Sequence, residues 1–312
     1  MKKVKNLKLS LPEELLCEIL KELPVKILLR FRCVSKRWCA MIDDLPFVQS
    51  HHDHSQTRPH GINILVLCQR GSSTQIYSTD PDGSGPILPL LEIPEVKRSK
   101  NICFSLQSVN GLVCVSRRII NPSTRECITL PKVKTSIPYE FEEEELGRLR
   151  IQPEYLLGYD PATKKHKVLN ICYIFISKRR LVQFKILTLG TNMWRNINSV
   201  PNQLEGLEIF RARCIAGVIY CFAHALNSDG ILAFEVGDEN FRVMQLPEGV
   251  TKSFCTIEVR GHLALIDNEI LVFNLLLCLD LDLLLFEFDL LEAFPLSSAF
   301  KIDPDDSSVS PL

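Results

Sequence analysis

The chain of 312 residues contains 12 cysteines, whose thiols could bind a metal, form disulfides or exchange electrons. Zinc sites and thioredoxin-like sites need pairs of cysteines separated by two residues, and no Cys-x-x-Cys pair occurs. Most of the cysteines lie in apolar runs, where a free thiol behaves as a small hydrophobic group. Their positions are 17, 33, 39, 68, 103, 114, 127, 172, 214, 221, 255 and 278. We therefore predict reduced, mostly buried thiols and no metal or redox site.

Histidines are concentrated in one short segment, where His51, His52 and His54 are followed by His60. Imidazole is a common metal ligand, so this cluster invites a metal-binding interpretation. The spacing does not fit a fixed tetrahedral site, and the surrounding residues have the composition of a linker. The segment 51–60 is therefore predicted to be a polar hinge without a metal ion.

No group of residues has the sequence context of a catalytic site. No glycine-rich phosphate loop follows a predicted strand, and no Ser/His/Asp or Cys/His set stands in a known motif. The glutamate-rich run 140–145, which precedes Arg148 and Arg150, is predicted to be a solvated loop. Trp38 and Trp194 belong to a residue type that is more often a packing or interface anchor than a catalytic group. The sequence therefore predicts a protein that is not an enzyme and needs no cofactor.

Composition argues against several kinds of partner. The chain has 36 basic and 37 acidic residues and a net charge of -1, so it lacks the basic surface typical of nucleic-acid binding. No uncharged apolar stretch reaches the roughly 18 residues of a spanning helix, so no membrane partner is predicted. The lysine-rich N-terminus is followed by Leu11-Pro-Glu-Glu14 rather than by an apolar signal region. We expect an intracellular protein of the cytoplasm and/or nucleus.

The first 50 residues have the periodicity of three short helices. The first begins after Ser10, which has the position of a capping residue, and stops before Pro24. The second is predicted over 25–32. The third is predicted over Lys36–Ile42, with Ser35 as its cap and with Asp43, Asp44 and Pro46 as its end. Three helices this short enclose little interior, so their apolar faces need a partner. An ordinary helical extension and a docking motif for another protein both remain open.

From residue 60 onward the pattern is that of an all-β domain. Short apolar runs alternate with Gly, Pro, Asn and Asp, which is typical of strands joined by turns. No long amphipathic helical pattern separates them, so a parallel sheet with crossover helices is not predicted. The runs are 62–68, 112–115, 168–176, 181–189, 218–222, 231–236 and 263–266.

Two series of turns repeat along the β domain. The first contains the Asn121-Pro and Asp160-Pro turns and the turns at Gly190 and Gly237. Asn or Asp can accept backbone N–H groups, proline presets φ, and glycine permits a positive φ. The second series is a glycine that opens a strand, and its members are Gly111, Gly217 and Gly261. Hairpins that recur about every 40 to 50 residues indicate the blades of a propeller.

The segment 9–38 resembles the F-box of plant F-box proteins. Its elements stand in the order of that motif, with Leu11-Pro12, Leu23-Pro24 and the ending Val34-Ser-Lys-Arg-Trp38. The resemblance implies that the helices bind a Skp-type adaptor, and through it the cullin scaffold and RING subunit of an SCF ubiquitin ligase. The candidate residues for the adaptor contact or its support are Leu11, Pro12, Leu15, Ile19, Leu20, Pro24, Val25, Leu28, Leu29 and Trp38.

Residues 60–270 resemble the F-box-associated domain of the same plant proteins. The resemblance rests on segments such as Asn110-Gly-Leu-Val-Cys114 and Leu157-Gly-Tyr-Asp-Pro161, and on the segment that ends at Trp194. His166 stands where the pattern usually has an aromatic residue. The resemblance implies a kelch-like β-propeller that recruits a protein substrate. The predicted fold is thus an α+β multidomain chain, with a small three-helix F-box followed by an all-β kelch-like β-propeller.

The C-terminal segment departs from the family pattern. The family continues after Asp267 with a Trp-containing strand, whereas this chain has the leucine- and acid-rich segment 274–291, which fits a strand and a short helix equally. We predict a disordered tail over 304–312 and a propeller that is incomplete at its C-terminus, as in a truncated or altered gene product. The predicted domains are 1–50 (F-box), 51–60 (linker), 61–273 (propeller-like domain) and 274–312 (divergent segment and tail).

Two classes of function remain open. In the first, the chain is a non-catalytic substrate-recognition subunit of an SCF-type E3 ligase, which raises the effective concentration of substrate lysines near charged ubiquitin. In the second, it is a β-propeller interaction protein outside any ligase, or a degenerate family member with no working substrate surface. Adaptor binding without proteasome-dependent loss of a partner favours the second class. The protein substrate is unknown, because variable loops bind it.

Overall fold

The computed structural model describes the N-terminal helices and most strands of the β-rich region. The described residues are 11–56, 64–70, 73–79, 86–93, 107–136, 149–176, 179–197, 208–224, 229–246, 254–259, 261–267, 284–285, 299–302 and 309–311. Four helices lie within them, and none of the four is long and apolar enough to cross a membrane. The helices are α1 (Glu13–Lys21), α2 (Val25–Phe31), α3 (Lys36–Ile42) and α4 (Leu45–Gln56).

Prolines and a serine fix where the first three helices begin. Pro12 and Pro24 are the N-cap residues of α1 and α2. Ser35 caps α3 as predicted, because its hydroxyl oxygen accepts the backbone N–H of Trp38 at 3.2 Å. The predicted cap of the first helix, Ser10, lies outside the described residues.

The prediction of three helices is wrong, because α4 follows them. Asp43, Asp44 and Pro46 were expected to end the helical region. Instead Pro46 lies in the first turn of α4, where its missing N–H has no helical partner to lose. Because α4 continues to Gln56, most of the predicted polar hinge 51–60 is helical.

The strands of the described residues form five antiparallel sheets of four strands each. In chain order they are β1 (Ile64–Arg70), β2 (Ser73–Thr79), β3 (Leu88–Ile93), β4 (Gln107–Val109), β5 (Leu112–Val115), β6 (Arg118–Asn121), β7 (Glu126–Thr129), β8 (Arg150–Asp160), β9 (Lys165–Ile176), β10 (Arg179–Thr188), β11 (Arg195–Asn196), β12 (Glu208–Ile215), β13 (Val218–His224), β14 (Asp229–Glu235), β15 (Asn240–Gln245), β16 (Phe254–Val259), β17 (His262–Asp267), β18 (Leu284–Leu285), β19 (Ala299–Ile302) and β20 (Val309–Pro311). The strand orders are β18-β1-β2-β3, β4-β5-β6-β7, β8-β9-β10-β11, β12-β13-β14-β15 and β16-β17-β19-β20.

Hydrophobic clusters lie between sheets that are consecutive in the chain. Side chains alternate between the two faces of a strand, so Leu156 packs in the cluster shared with the fourth sheet and Leu157 in the cluster shared with the second. Both faces of the third sheet are therefore buried, which explains why the segment 168–176 is almost entirely apolar, with Asn170 as its one polar residue. The first strands β4, β8, β12 and β16 also lie near one another, with contacts from β4 to β8, from β8 to β12, and from β12 to both β4 and β16.

The C-terminal residues supply strands to two sheets. β18 pairs with β1 through Val66 and Leu285, so a late strand joins the N-terminal sheet. β19 and β20 occupy the last two positions of the fifth sheet. The prediction of a disordered tail is therefore wrong for Val309–Pro311, which pairs with β19. Most of the leucine- and acid-rich segment 274–291 lies outside the described residues.

The glycine-opened turns occupy equivalent places in three sheets. Asn110–Gly111 joins β4 to β5, and Ala216–Gly217 joins β12 to β13. Both residues of each pair have a positive φ, at 46° and 82° in the first and 49° and 86° in the second. This is the geometry of a two-residue hairpin whose twist matches the strands. Gly261, with a φ of 79°, precedes the second strand of the fifth sheet in the same way.

The other predicted series combines two kinds of turn. The turns at Asn121, Gly190 and Gly237 join the third strand of a sheet to the fourth. The Asp160 turn joins β8 to β9, a first strand to a second, so it is equivalent to the glycine-opened turns. Its chemistry is as predicted, because the Asp160 carboxylate accepts the backbone N–H of Ala162 at 3.0 Å.

Candidate functional site

The four helices enclose a small hydrophobic core of their own. Its buried members come from every helix: Leu20, Leu28, Met41, Ile42 and Phe47. At its border the rings of Phe31 and Trp38 meet edge to face, with centroids 5.2 Å apart. This core determines which apolar side chains of the helices remain available to a partner.

An exposed apolar row runs along α1 and the residues before it. Leu11, Leu15 and Ile19 are 51%, 52% and 53% exposed, and their spacing of four residues places them on one side of the helix. Pro12 and Pro24 are exposed near the two ends of α1. Isolated exposed leucines are ordinary, but an aligned row on one helix is typical of a protein-docking surface. We name Leu11, Leu15 and Ile19 the α1 row.

Burial divides the other sequence-predicted site residues. Leu20 and Leu28 are 1% and 4% exposed, so they support the helices and cannot reach a partner without unfolding. Val25, Leu29 and Trp38 are half-buried. The structure thus brings the α1 row to the surface and assigns Leu20 and Leu28 to the interior.

Within the helical region, three further large apolar residues are exposed and were not among the predicted site residues. Val34, between α2 and α3, is 66% exposed. Leu45 and Val48, in the first turn of α4, are 80% and 48% exposed. Sequence periodicity could not identify Val34, because it lies in a turn rather than on a helical face. It could not identify the other two, because α4 itself was not predicted.

An ion pair holds together the ends of α2 and α3. Arg32 Nε lies 2.8 Å from Asp43 Oδ1, and Arg32 NH2 donates to Asp43 Oδ2 at 2.8 Å. The hydrogen bond that Arg32 donates to the Asp43 carboxylate raises the pKa of the Arg32 guanidinium. Because both side chains are exposed, the pair contributes little to stability, and its two parallel bonds instead fix geometry. It thereby orients the turn that contains Val34.

The histidines of α4 bind protein groups. His51 Nε2 lies 2.9 Å from the carbonyl oxygen of Leu23, and His54 Nε2 lies 2.9 Å from Glu22 Oε1. His52 instead contacts the β domain, as described below. In the described part of the chain, no three His, Cys, Asp or Glu side chains are grouped so as to hold a metal ion.

The described cysteines are free thiols. Burial raises the pKa of Cys114 to about 12 and that of Cys172 to about 11. Such thiols stay protonated at neutral pH and are poor nucleophiles. Cys33 and Cys127 are exposed, so the prediction of burial does not hold for them.

Two family models match the chain. One, described as the F-box domain, matches residues 9–50. The other, described as the F-box associated beta propeller domain, matches residues 63–279, more than half of the chain. This chain belongs to the F-box proteins with an F-box-associated domain. The helices α1 to α3 and the first half of α4 thus lie within its F-box, and the strands β1 to β17 lie within its F-box-associated domain.

The F-box protein also resembles several proteins of Arabidopsis thaliana. F-box protein At1g47790 is 31% identical over 273 residues, which cover 83% of this chain and 64% of that protein. F-box protein At1g52495 is 31% identical over 79% of this chain and 59% of its own, and F-box protein At1g30790 is 30% identical over 81% and 67%. The chain therefore spans about three fifths to two thirds of these relatives. TolB from Acinetobacter baumannii aligns with 72% of this chain at 8% identity and a TM-score of 0.29, which supports no argument.

Proposed function

We propose that this F-box protein is the substrate-recognition subunit of an SCF-type E3 ubiquitin ligase. The F-box binds a Skp-type adaptor and through it a cullin and RING scaffold, and the β domain binds a protein substrate. The chain does no bond chemistry and accelerates ubiquitin transfer by proximity. This role belongs to the cytoplasm or nucleus. The single observation that carries the proposal is the exposed α1 row within a matched F-box.

The α1 row supports adaptor binding because the helices do not need it for their own packing. Leu20, one residue beyond Ile19, fills the core, so α1 is apolar on two sides. Each apolar side chain that an adaptor covers contributes about 25 cal/mol per Å² removed from water. A partner groove that receives the helix would therefore gain most of its affinity from these three residues.

The arrangement of the sheets supports a kelch-like β-propeller as the substrate-binding part. Five sheets follow one another in chain order, and hydrophobic clusters join them in sequence. Their first strands lie together, and β18 returns to pair with β1. Such a strand from late in the chain is the feature that would close a ring of blades.

Aspartate substitutions in the α1 row test adaptor binding. We expect Leu15→Asp or Ile19→Asp to weaken binding of a purified Skp-type adaptor by tenfold or more, because a charge placed in an apolar contact costs more than about 1.4 kcal/mol. The matched control is Met193→Asp, since Met193 is 75% exposed but lies in the β domain. Calorimetric titration gives the affinities, and melting temperatures show that the variants fold.

Two results would contradict the proposed role. One is an intact chain that does not bind the adaptor. The other is a Leu15→Asp variant that binds as tightly as the Met193→Asp control.

For the substrate, proximity labelling with the proteasome inhibited should reveal partners that also accumulate with Leu15→Asp. If no partner accumulates, the protein acts outside a ligase.

A further inference from the structure

The turn between β4 and β5 contacts the helix α4. His52 Nε2 lies 2.7 Å from Asn110 Oδ1, a hydrogen-bond distance between residues 58 positions apart. The same imidazole lies against the backbone of Gly111, because a Cβ atom there would be 3.1 Å from His52 Cε1. The α4 side chain thus meets the turn through both a polar contact and a close steric fit. We name His52, Asn110 and Gly111 the His52 contact.

The β domain fixes this turn from another direction. His166, on β9, donates from Nε2 to the carbonyl oxygen of Val109 at 3.1 Å. The imidazole of His166 also packs on the ring of Tyr159, with centroids 4.9 Å apart. Val109 is itself buried in the cluster between the second and third sheets. Contacts within the β domain therefore fix the position of the turn independently of α4.

The opposite side of α4 is anchored to the other helices of the F-box. Phe47 is buried in the helical core, and its ring lies 6.1 Å from that of His51. His51 and His54 contact Leu23 and Glu22, at the end of α1. Within one helix, the histidines at 51 and 54 thus face the F-box while the histidine at 52 faces the β domain.

We propose that the His52 contact fixes the orientation of the F-box helices relative to the β domain, with His52 as a positioning residue. The helix α4 contacts α1 on one side and the β4–β5 turn on the other. These two contacts restrict rotation of the F-box helices relative to the β domain. The consequence rests on the proposed function. In a ligase, the contact sets the direction in which a substrate on the β domain faces the ubiquitin-charged enzyme.

The test measures the distance distribution between the two parts in the full chain. Fluorophores are attached through genetically encoded amino acids at the exposed positions Lys26 and Asp238, because the chain has 12 cysteines. Single-molecule energy transfer should show one narrow peak for the parent chain. His52→Ala should lose that peak and give a broad distribution. His52→Gln should keep it, since its amide nitrogen can occupy the place of Nε2.

Two backbone-matched variants separate the contact from turn strain. Gly111→Ala and Gly261→Ala place alanine at nearly the same positive φ, 82° and 79°. Only the first places a Cβ against His52, because nothing lies within 4 Å of a Cβ at Gly261. Asn110→Ala removes the polar partner at a turn position that alanine accepts, as Ala216 shows at a φ of 49°. Gly111→Ala and Asn110→Ala should broaden the distribution, and Gly261→Ala should not.

The result that overturns the proposal is a narrow peak that persists in His52→Ala, Asn110→Ala and Gly111→Ala. A distance distribution that broadens equally in Gly261→Ala overturns it as well, because backbone strain in a turn would then be enough to explain the broadening. Circular dichroism and melting curves confirm that each variant folds. The measurement needs no adaptor, so loss of adaptor binding in the parent chain would reject the ligase role without affecting this result.

Discussion

The F-box and the β domain treat their apolar residues in opposite ways. The F-box buries five large hydrophobic side chains and leaves the three residues of the α1 row more than half exposed. The β domain places its apolar residues in clusters between consecutive sheets, where many are almost inaccessible to water. The F-box thus has an aligned row of exposed apolar side chains, whereas the β domain buries most of its apolar side chains between sheets and exposes others, such as Met193, at separate positions.

This difference follows from the geometry of the two elements. Four short helices have few positions that face inward, so a second apolar side of α1 has nothing within the F-box to cover it. A sheet between two other sheets buries both faces, so consecutive side chains of a strand are buried instead of alternate ones, as along most of β9. Loss of a side chain should therefore affect binding in the first region and stability in the second.

A core truncation should show the largest effect of this contrast. Phe234 is 1% exposed and its ring centroid lies 4.7 Å from that of Phe241. We expect Phe234→Ala to lower the free energy of unfolding by about 3 to 5 kcal/mol, measured by denaturant titration, because it leaves a cavity. Leu15→Ala should change it by less than about 0.5 kcal/mol. A comparable loss in both variants would remove the contrast.

A second test concerns buried charge in the β domain. Glu239 accepts Lys167 Nζ at 3.0 Å and Arg195 NH2 at 2.7 Å. Burial opposes its ionisation, but these two partners outweigh burial and lower the pKa of Glu239. Lys167 is nearly buried but also donates to the carbonyl oxygens of Val236 and Gly237, so Glu239→Gln should cost about 2 kcal/mol of unfolding free energy, as loss of a hydrogen bond to a charged group does.

The matched control for Glu239 is another glutamate of the same sheet. Glu235 pairs with Arg242 at 2.7 Å, and its partner Arg242 is exposed, whereas Lys167 is nearly buried. Glu235→Gln should therefore cost less than about 1 kcal/mol, as exposed ion pairs do. If denaturant titration gives equal losses of unfolding free energy for Glu239→Gln and Glu235→Gln, the burial of Lys167 does not strengthen its ion pair.

The sequence predicted the elements whose ends have local signals. Pro24 marks where the first helix stops, through its backbone, and Ser35 marks where the third begins, through its side chain. In the structure α1 ends before Pro24, and α3 begins directly after Ser35. The glycine-opened turns were identified because a positive φ restricts the residue type. The helix α4 was missed because Pro46 was interpreted as a helix stop, and because its histidines are held by contacts distant in sequence, such as His52 with Asn110.

The candidate site was predictable only in part for a related reason. Leu11, Leu15 and Ile19 follow one helical row, and Leu16, Leu20 and Leu23 follow a neighbouring one. Periodicity shows that both rows are apolar but contains no information about which row the other helices cover. That choice depends on how Leu28, Met41 and Phe47 pack, which is a tertiary property.

The smallest expected effect is a pH dependence of stability caused by His166, which lies on the β-domain side of the His52 contact. Burial lowers the pKa of His166 below its ordinary value of 6.5, while hydrogen bonds to the backbone of Val109 and Asn110 oppose this and His52 adds to it. The unfolded chain therefore binds a proton at this residue before the folded chain does. Stability should fall as the pH decreases below about 6.5, by at most about 1.4 kcal/mol per pH unit from this residue.

Phenylalanine is the suitable replacement for His166, because it keeps a ring beside Tyr159 and cannot titrate. His166→Phe loses the hydrogen bond to Val109 at every pH, which shifts its unfolding free energy by a constant. The unfolding free energy of the parent chain minus that of the variant should therefore decrease as the pH falls from 7.5 to 5.5. A difference that stays constant would show that His166 keeps its ordinary titration in the fold. The effects of burial and of the hydrogen bonds to the backbone of Val109 and Asn110 on the pKa of His166 would then cancel.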